Sequence, residues 1–264
     1  MMDRKLFGLA VALLATFAVA SPAKAEHAML GRFSPIAVEP SARVVWTNPA
    51  NAMLSAGSSV LCEAVWEDGW SSGLEPGEVT TFNLAAGTDR ATYGFQKNLG
   101  DVPGRPDWTF AISAPRAIGL RSSIGLGFEY RRGEDSGLDG TFGWTSHLSR
   151  DFRVAATVEN VFETVDGAPR TGNGGAAWQR SGVGYLSWDS VWRDGEDPIS
   201  WVGVGIDRLR VARLSFHTTL DGDWTAFVSI GNRQSLGGGV REVDDRRAAR
   251  FASWDWRPAP NRTP

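Results

Sequence analysis

The residues best suited to chemistry are a few ionisable side chains on alternating segments. Glu129, Arg131, Thr141 and Glu159 occupy the polar faces of three consecutive such segments. If the turns at Ser136 and Arg150 set the register, Arg131, Thr141 and Glu159 fall in one row across three strands, with Glu129 one step along. Neighbouring strands lie about 4.8 Å apart, so Arg131 and Glu159 sit roughly 10 Å apart and their long side chains can meet. Two carboxylates around one guanidinium form a charged constriction in an aqueous passage, where they favour cations. In a filled interior they form a structural ion-pair network. Spacing alone leaves both open.

Other chemical patterns are absent or incomplete. There is no G-x-S-x-G elbow and no G-x-x-x-x-G-K-[ST] phosphate loop. Gly125-Leu126-Gly127, Gly182-Val183-Gly184 and Gly203-Val204-Gly205 lack the third glycine of a dinucleotide fingerprint, and read as strand faces that a neighbouring wall approaches closely. His27, His147 and His217 have no second ligand at metal spacing. Asp221-Gly222-Asp223 lacks the later glycine and glutamate of a calcium loop and reads as a hairpin turn. Cys62 is the only cysteine, which excludes an intramolecular disulfide, and reads as a small strand residue. The expectation is no enzyme, no cofactor and no metal. A formal net charge of −3 argues against a nucleic-acid partner.

The elements that would position the polar set are strands. From Val60 onward the apolar period is two: Ile124, Leu126, Phe128 and Tyr130 alternate with Ser123, Gly125, Gly127, Glu129 and Arg131. Phe152, Val154, Ala156 and Val158 repeat the pattern, as do Trp224, Ala226, Val228 and Ile230, although Phe227 falls on the polar face of that last set. Strands are predicted at 58–66, 79–86, 90–98, 107–114, 122–131, 140–149, 152–159, 179–188, 200–207, 210–219, 224–231 and 236–242, with 43–47 and 250–257 as incomplete extras. Residues 163–178 read as the longest loop. The 189–199 connection is as long as an external loop where a short periplasmic turn is expected.

The N-terminus reads as an export signal. Arg4 and Lys5 precede an uncharged apolar run from Leu6 to Ala20, and Ala23-Lys24-Ala25 supplies the small residues a signal peptidase accepts. The expected parts are a signal peptide over 1–25, a segment over 26–57 with a short helix, a β-barrel over 58–257 and a loose tail over 258–264. The helix is placed at Thr47–Leu54, with Asn48 as N-cap, Pro49 in the first turn and Gly57 as its stop.

Twelve tryptophans add a membrane signal. Trp66, Trp108, Trp188, Trp201, Trp224 and Trp256 fall near predicted strand ends, where an aromatic girdle meets the headgroup zone. With no later segment apolar enough for a membrane helix, a membrane-bound chain must be a closed barrel. The fold expectation is an all-β, up-and-down antiparallel transmembrane barrel of about 12 strands. Its expected place is the bacterial outer membrane, and its partners are outer-membrane lipid, the barrel-assembly machinery and a small-molecule solute. The rival is a secreted β-sandwich that binds carbohydrate through exposed tryptophans.

Two motifs carry a family resemblance. Asn48-Pro49-Ala50 near the mature N-terminus, followed by glycine-rich alternating strands, resembles the long-chain fatty-acid channel superfamily of outer-membrane barrels and its smaller relatives. Val158-Glu159-Asn160-Val161-Phe162 is similar to segments common in such barrels, and also to the barrel-like region that precedes the protease domain of some bacterial signal peptide peptidases. The resemblance spans roughly residues 43 to 242. It implies passive passage of a small or hydrophobic solute, or a structural role in the envelope, although family members of known transport activity are generally longer.

Overall fold

A computed structural model describes residues 35–38, 42–54, 58–69, 79–99, 106–133, 136–162, 170–180, 183–193, 197–209, 212–220, 222–231, 234–243 and 247–256. The expected signal peptide, its cleavage site, Gly57 and the tail lie outside the described residues. The strands are β1 (Ser59–Gly69), β2 (Val79–Gly87), β3 (Thr92–Asn98), β4 (Trp108–Ala117), β5 (Ser122–Arg132), β6 (Gly137–His147) and β7 (Phe152–Glu159). They continue as β8 (Thr171–Arg180), β9 (Gly184–Arg193), β10 (Ile199–Leu209), β11 (Ala212–Thr219), β12 (Trp224–Gly231), β13 (Gln234–Val243) and β14 (Arg247–Trp256). Each pairs antiparallel with its sequence neighbours, and β14 returns to β1 from Val60↔Trp256 to Gly69↔Arg247, closing the barrel. Closure leaves no sheet edge with unpaired backbone groups.

The alternation seen in the sequence becomes an inside-out sorting. Leu126, Phe128 and Tyr130 of β5 face outward and are exposed, Leu126 to 54 %. Ser123, Gly125 and Gly127, between them in sequence, are buried. Leu84, Tyr93, Phe110, Phe142, Leu186, Val204, Phe216, Val228 and Leu236 carry the same apolar exterior around the wall. Glu63, Asn83, Thr109, Thr157 and Thr225 are buried inside it. A water-soluble sandwich would bury the leucines and expose the threonines, so the carbohydrate-binding sandwich is not favoured.

The barrel has fourteen strands, not about twelve. One addition is β8, which occupies the second half of the expected 163–178 loop. Its outward residues Gly172 and Gly174 are not greasy, so period-two hydrophobicity is missing. Trp192 of β9 lies over both and supplies the apolar cover from next door. The other is β14, whose small and charged residues blur the alternation. With β8 in place, β9 runs to Arg193 and its connection to β10 shrinks to 194–198, which removes the anomaly at 189–199.

One rim carries only short connections: 88–91, 118–121, 148–151, 181–183, 210–211 and 232–233. The longer ones, 70–78, 99–107 and 160–170 among them, share the opposite rim. The expected N-terminal helix is not an α-helix. Residues 47–54 form a 3-10 segment over Pro49–Leu54, following another at Ala42–Val45, which takes the place of the incomplete strand at 43–47. The cap survives this change, because Asn48 Oδ1 accepts the Ala50 N–H at 3.0 Å. No helix among the described residues is long and apolar enough to cross a membrane.

Candidate functional site: a plugged lumen

The N-terminal residues 35–38 and 42–54 lie inside the barrel. Ile36, Ala37 and Val38 pack on Ala155 of β7 and Ala177 of β8, with Tyr185 of β9 against them. Ala42 and Val45 pack on Leu61, Ala85 and Ala111, with Trp46 alongside. The wall makes room by omitting side chains. A Cβ on Gly125 would overlap the backbone at Pro49 and Ala50, one on Gly143 would overlap Asn48, and one on Gly94 would overlap Trp46 and Val45. The glycines read from the sequence as places of close approach are, at Gly125, where the plug touches the wall.

Polar contacts fix the plug in place. Arg43 donates from Nη1 and Nη2 to the two Glu63 oxygens at 3.1 and 2.6 Å, with both residues 1 % exposed, and Asn83 Nδ2 donates to Glu63 Oε1 at 3.2 Å. A planar fork on a carboxylate, with an amide on the same oxygen, is the geometry in which a buried ion pair offsets its desolvation. On the other side, Asn48 Nδ2 donates to Thr145 Oγ1 at 2.9 Å, and Thr145 Oγ1 donates to Asn51 Oδ1 at 2.6 Å. Asn51 Nδ2 donates to the Ile36 carbonyl, Ser123 Oγ donates to the Ala50 carbonyl at 3.0 Å, and Asp189 Oδ1 accepts the Ile36 N–H at 3.0 Å. Asn48, Pro49 and Ala50 therefore act as the hub of a strut across the lumen. Sequence reasoning missed Arg43, Asn51, Glu63, Asn83 and Asp189. Their signal is the inward parity of Glu63 and Asp189, since an acidic residue buried in a wall needs a partner.

The charged set from the sequence is largely assembled, with one member displaced. Glu129 and Arg131 pair on β5, Arg131 Nη2 donates to Asn160 Oδ1 at 3.2 Å, and Asn173 Nδ2 donates to Glu159 Oε1 at 2.9 Å. Thr141 does not lie in that row. It faces Gly127, while Arg131 faces Gly137 and Glu129 faces Asp139. The β5–β6 turn is centred two residues earlier than Ser136, so every β6 partner moves by four residues. Gly137 takes the expected place of Thr141 opposite Arg131, and Asp139 stands opposite Glu129. The β6–β7 register, set by the turn at Arg150, pairs Phe142 with Val158 as expected.

The Val158-Glu159-Asn160-Val161-Phe162 motif has its own local logic. Asn160 adopts φ 56°, in the left-handed region that asparagine tolerates. The reversal lets Val161 N donate to the Gly140 carbonyl at 3.1 Å and Phe162 N to Asp139 Oδ1 at 3.0 Å. Phe162 then covers Gly140 on the outside and stacks with Phe128 at 6.3 Å between centroids.

Of the six tryptophans, Trp66, Trp108, Trp224 and Trp256 face outward near strand ends. Trp108 lies 5.5 Å from the Tyr130 ring, with the Arg132 guanidinium 6.0 Å from its own. Trp188 faces outward in the middle of β9, because that strand extends to Arg193. Trp201 is a correction: it faces the lumen and is 4 % exposed. Its neighbours Val202 and Val204 are the outward residues, so the strand-end position was right and the face was wrong. His217 pairs with Tyr185, and Gly222 and Asp223 sit in the β11–β12 hairpin turn. Among the described residues no group of His, Cys, Asp and Glu is arranged to hold a metal ion.

A closed antiparallel barrel that is apolar outside and polar inside is the architecture of membrane-spanning β-barrels. Comparison with solved structures agrees with that class. The chain superposes on the CymD monoaromatic hydrocarbon channel with a TM-score of 0.56 at 10% sequence identity, covering 85% of this chain and 95% of that one. A mutant of the Rh. blastica porin gives 0.47 at 8% identity over 76% of this chain and 99% of the porin. The KdgM porin gives 0.42 at 10% identity over 75% and 98%. The first match shows a shared fold; the two porin overlaps add nothing to that assignment. No protein-family model matches the sequence, and no curated protein matches it.

Proposed function

We propose that the chain is an outer-membrane channel for passive passage of a small or hydrophobic solute, held closed in this conformation by its own N-terminal segment. The observation that carries the reading is the strut at Asn48–Asn51 and the Arg43–Glu63 pair, which block a closed barrel with non-covalent, local contacts. A segment held by hydrogen bonds, the Arg43–Glu63 pair and small apolar contacts, with no strand pairing to the wall, can leave without unfolding it. The structural likeness to a hydrocarbon channel supports the reading, as does the placement of the Asn-Pro-Ala motif on which the resemblance to the fatty-acid channel superfamily rests. The short-turn rim, where β1 begins and β14 ends, is assigned to the periplasm, since outer-membrane barrels keep short turns on that side. Outer-membrane lipid and the assembly machinery are the partners, and the mature chain begins at Glu26 after signal removal.

Planar-bilayer recording tests this. The expected result is low conductance in the wild-type protein and a stable open level once residues 35–54 are deleted. A deletion variant that inserts, resists extraction and stays electrically silent would instead support a structural role in the envelope.

Two further outcomes follow. Leu126→Arg places a charge on the outward face in mid-strand and should destabilise the folded barrel by about 2 to 4 kcal/mol in urea titrations into vesicles. An unchanged midpoint would mean that this face does not meet hydrocarbon. Replacing Glu129 and Glu159 with glutamine removes two carboxylates on the long-loop side of the plug. In the plug-deleted background this should lower cation preference in single-channel recordings. In the plugged protein it should lower thermal stability, because Arg131 loses two of its acidic neighbours and keeps Asp139. If neither property moves, the cluster has no role.

A further inference from the structure

The plug contacts described above run from β1 round to β9; buried polar atoms without a hydrogen-bond partner occur on several strands, Asn83 and Asn173 among them, and on the β9–β12 wall they stand beside aromatic rings. On β10 the inward residues are Trp201, Gly203 and Gly205. The two glycines allow neighbouring rings to lie flat on the wall: a Cβ on Gly203 would overlap the His217 imidazole, and one on Gly205 would overlap the Tyr185 ring. Those rings stack 20° from parallel with centroids 6.0 Å apart, and they share a hydrogen bond of 2.9 Å between Tyr185 Oη and His217 Nε2. Trp201 stands next to them, paired in register with Asp189 of β9 and Thr219 of β11. Three rings thus stand together on this stretch of the inner wall, with Trp201 4 % and His217 2 % exposed.

Beside these rings, Asp189 uses only Oδ1, for the Ile36 N–H, and Oδ2 has no hydrogen-bond partner. Ser187 Oγ and Thr225 Oγ1 are equally without a partner. Asp189 is 2 % exposed and Thr225 0 %. Among the described residues no ion pair reaches Asp189. A buried polar atom left unpaired costs free energy, so three of them beside stacked rings point to an occupant that pairs with them. A carboxylate adjoining an indole suits an organic ammonium ion, which donates to the carboxylate while its ring or its charge meets the aromatic face. Ser187, Gly203, His217 and Thr225 form one cross-strand row three strand spacings long, about 14 Å along the wall. That length fits a single ring with a polar group at each end.

We propose that the β9–β12 wall of the lumen binds a small aromatic amine, with its ammonium on Asp189, its ring on the Trp201, Tyr185 and His217 faces, and its far polar group toward Thr225. This inference rests on the lumen being a solute path, and it names the class of solute.

The test is calorimetric titration of the full detergent-solubilised chain with tyramine and with 4-hydroxyphenylacetate, which share a phenol ring and differ in the sign of the charged end. Tyramine should bind at least about tenfold more tightly, the scale of one charge-assisted hydrogen bond. Asp189→Asn keeps an acceptor for the Ile36 N–H and should weaken tyramine about tenfold while leaving the anion little changed. The pair Ser187→Ala with Thr225→Val, which leaves the plug contacts intact, should weaken tyramine too and serves if the Asp189 variant misfolds. Equal binding of the two probes, no binding of tyramine, or indifference to these substitutions overturns the proposal. Bilayer conductance is read separately. A protein whose plug-deleted form conducts but that does not bind tyramine sinks this inference alone, and one that binds tyramine but stays silent even with residues 35–54 deleted sinks the channel reading.

Discussion

Arg43→Met should leave a barrel that still assembles but melts early, with a loss of about 3 to 5 kcal/mol in urea unfolding, the cost of stranding one member of a buried pair. Glu63 is the stranded member. It is 1 % exposed, and its remaining partner among the described contacts is the Asn83 amide, which bonds one oxygen and carries no charge. The plug pays the same penalty locally, since Arg43 is its polar tie to β1. The variant should therefore also flicker open in bilayer recordings, while the wild-type protein keeps its low conductance. Adding Glu63→Gln removes the stranded charge and should restore most of the stability without restoring closure, because the guanidinium fork is still missing. That split between stability and closure is the diagnostic. A single variant with wild-type melting would show that water reaches the pair. A double variant as unstable as the single one would show that shape, not charge, was lost.

The wall was legible in the sequence because membrane barrels write their two faces in period two. Leu126 and Val154 share the greasy parity of their strands, which the barrel expectation turns outward, and both point there. Legibility failed where a strand does not carry its own hydrophobic cover. β8 presents Gly172 and Gly174 outward and borrows Trp192 from β9, so no window confined to its own residues shows an apolar face. Trp201 departs for a related reason: its indole sits on the inward parity of β10, and a place near a strand end does not fix the face. Register fails at the β5–β6 turn, where the centre of a loop cannot be read from composition, and Gly137 stands opposite Arg131 in place of Thr141 as a result. The plug was legible as an N-capped turn at Asn48, yet its destination was not. Insertion into a lumen depends on complementarity between separated parts: Arg43 with Glu63, Asn48 and Asn51 with Thr145, Pro49 with Gly125. Each partner looks ordinary where it stands in the chain.

That complementarity gives the sharpest test of the plug. Gly125→Val should open the channel without damaging the wall. Valine suits a strand, and a β-branched residue on the inward face keeps the β5 ladder intact. Its Cβ, however, would overlap the backbone at Pro49 and Ala50, and backbone in a 3-10 segment fixed by Asn48 and Asn51 cannot retreat as a flexible side chain would. Overpacking of this kind costs about 1 to 3 kcal/mol, enough to shift a locally held segment and too little to unfold a closed fourteen-stranded barrel. Gly127→Ala is the matched control. It lies on the same face of the same strand, and its added Cβ would meet Thr141 at 3.5 Å, an ordinary contact. The expected result is a steady open conductance and protease-accessible residues 35–54 in the Gly125 variant, with both unchanged in the Gly127 variant. If the Gly125 variant stays closed at native stability, or if both variants open alike, the plug is not held against β5 in the way the Pro49–Ala50 contact requires.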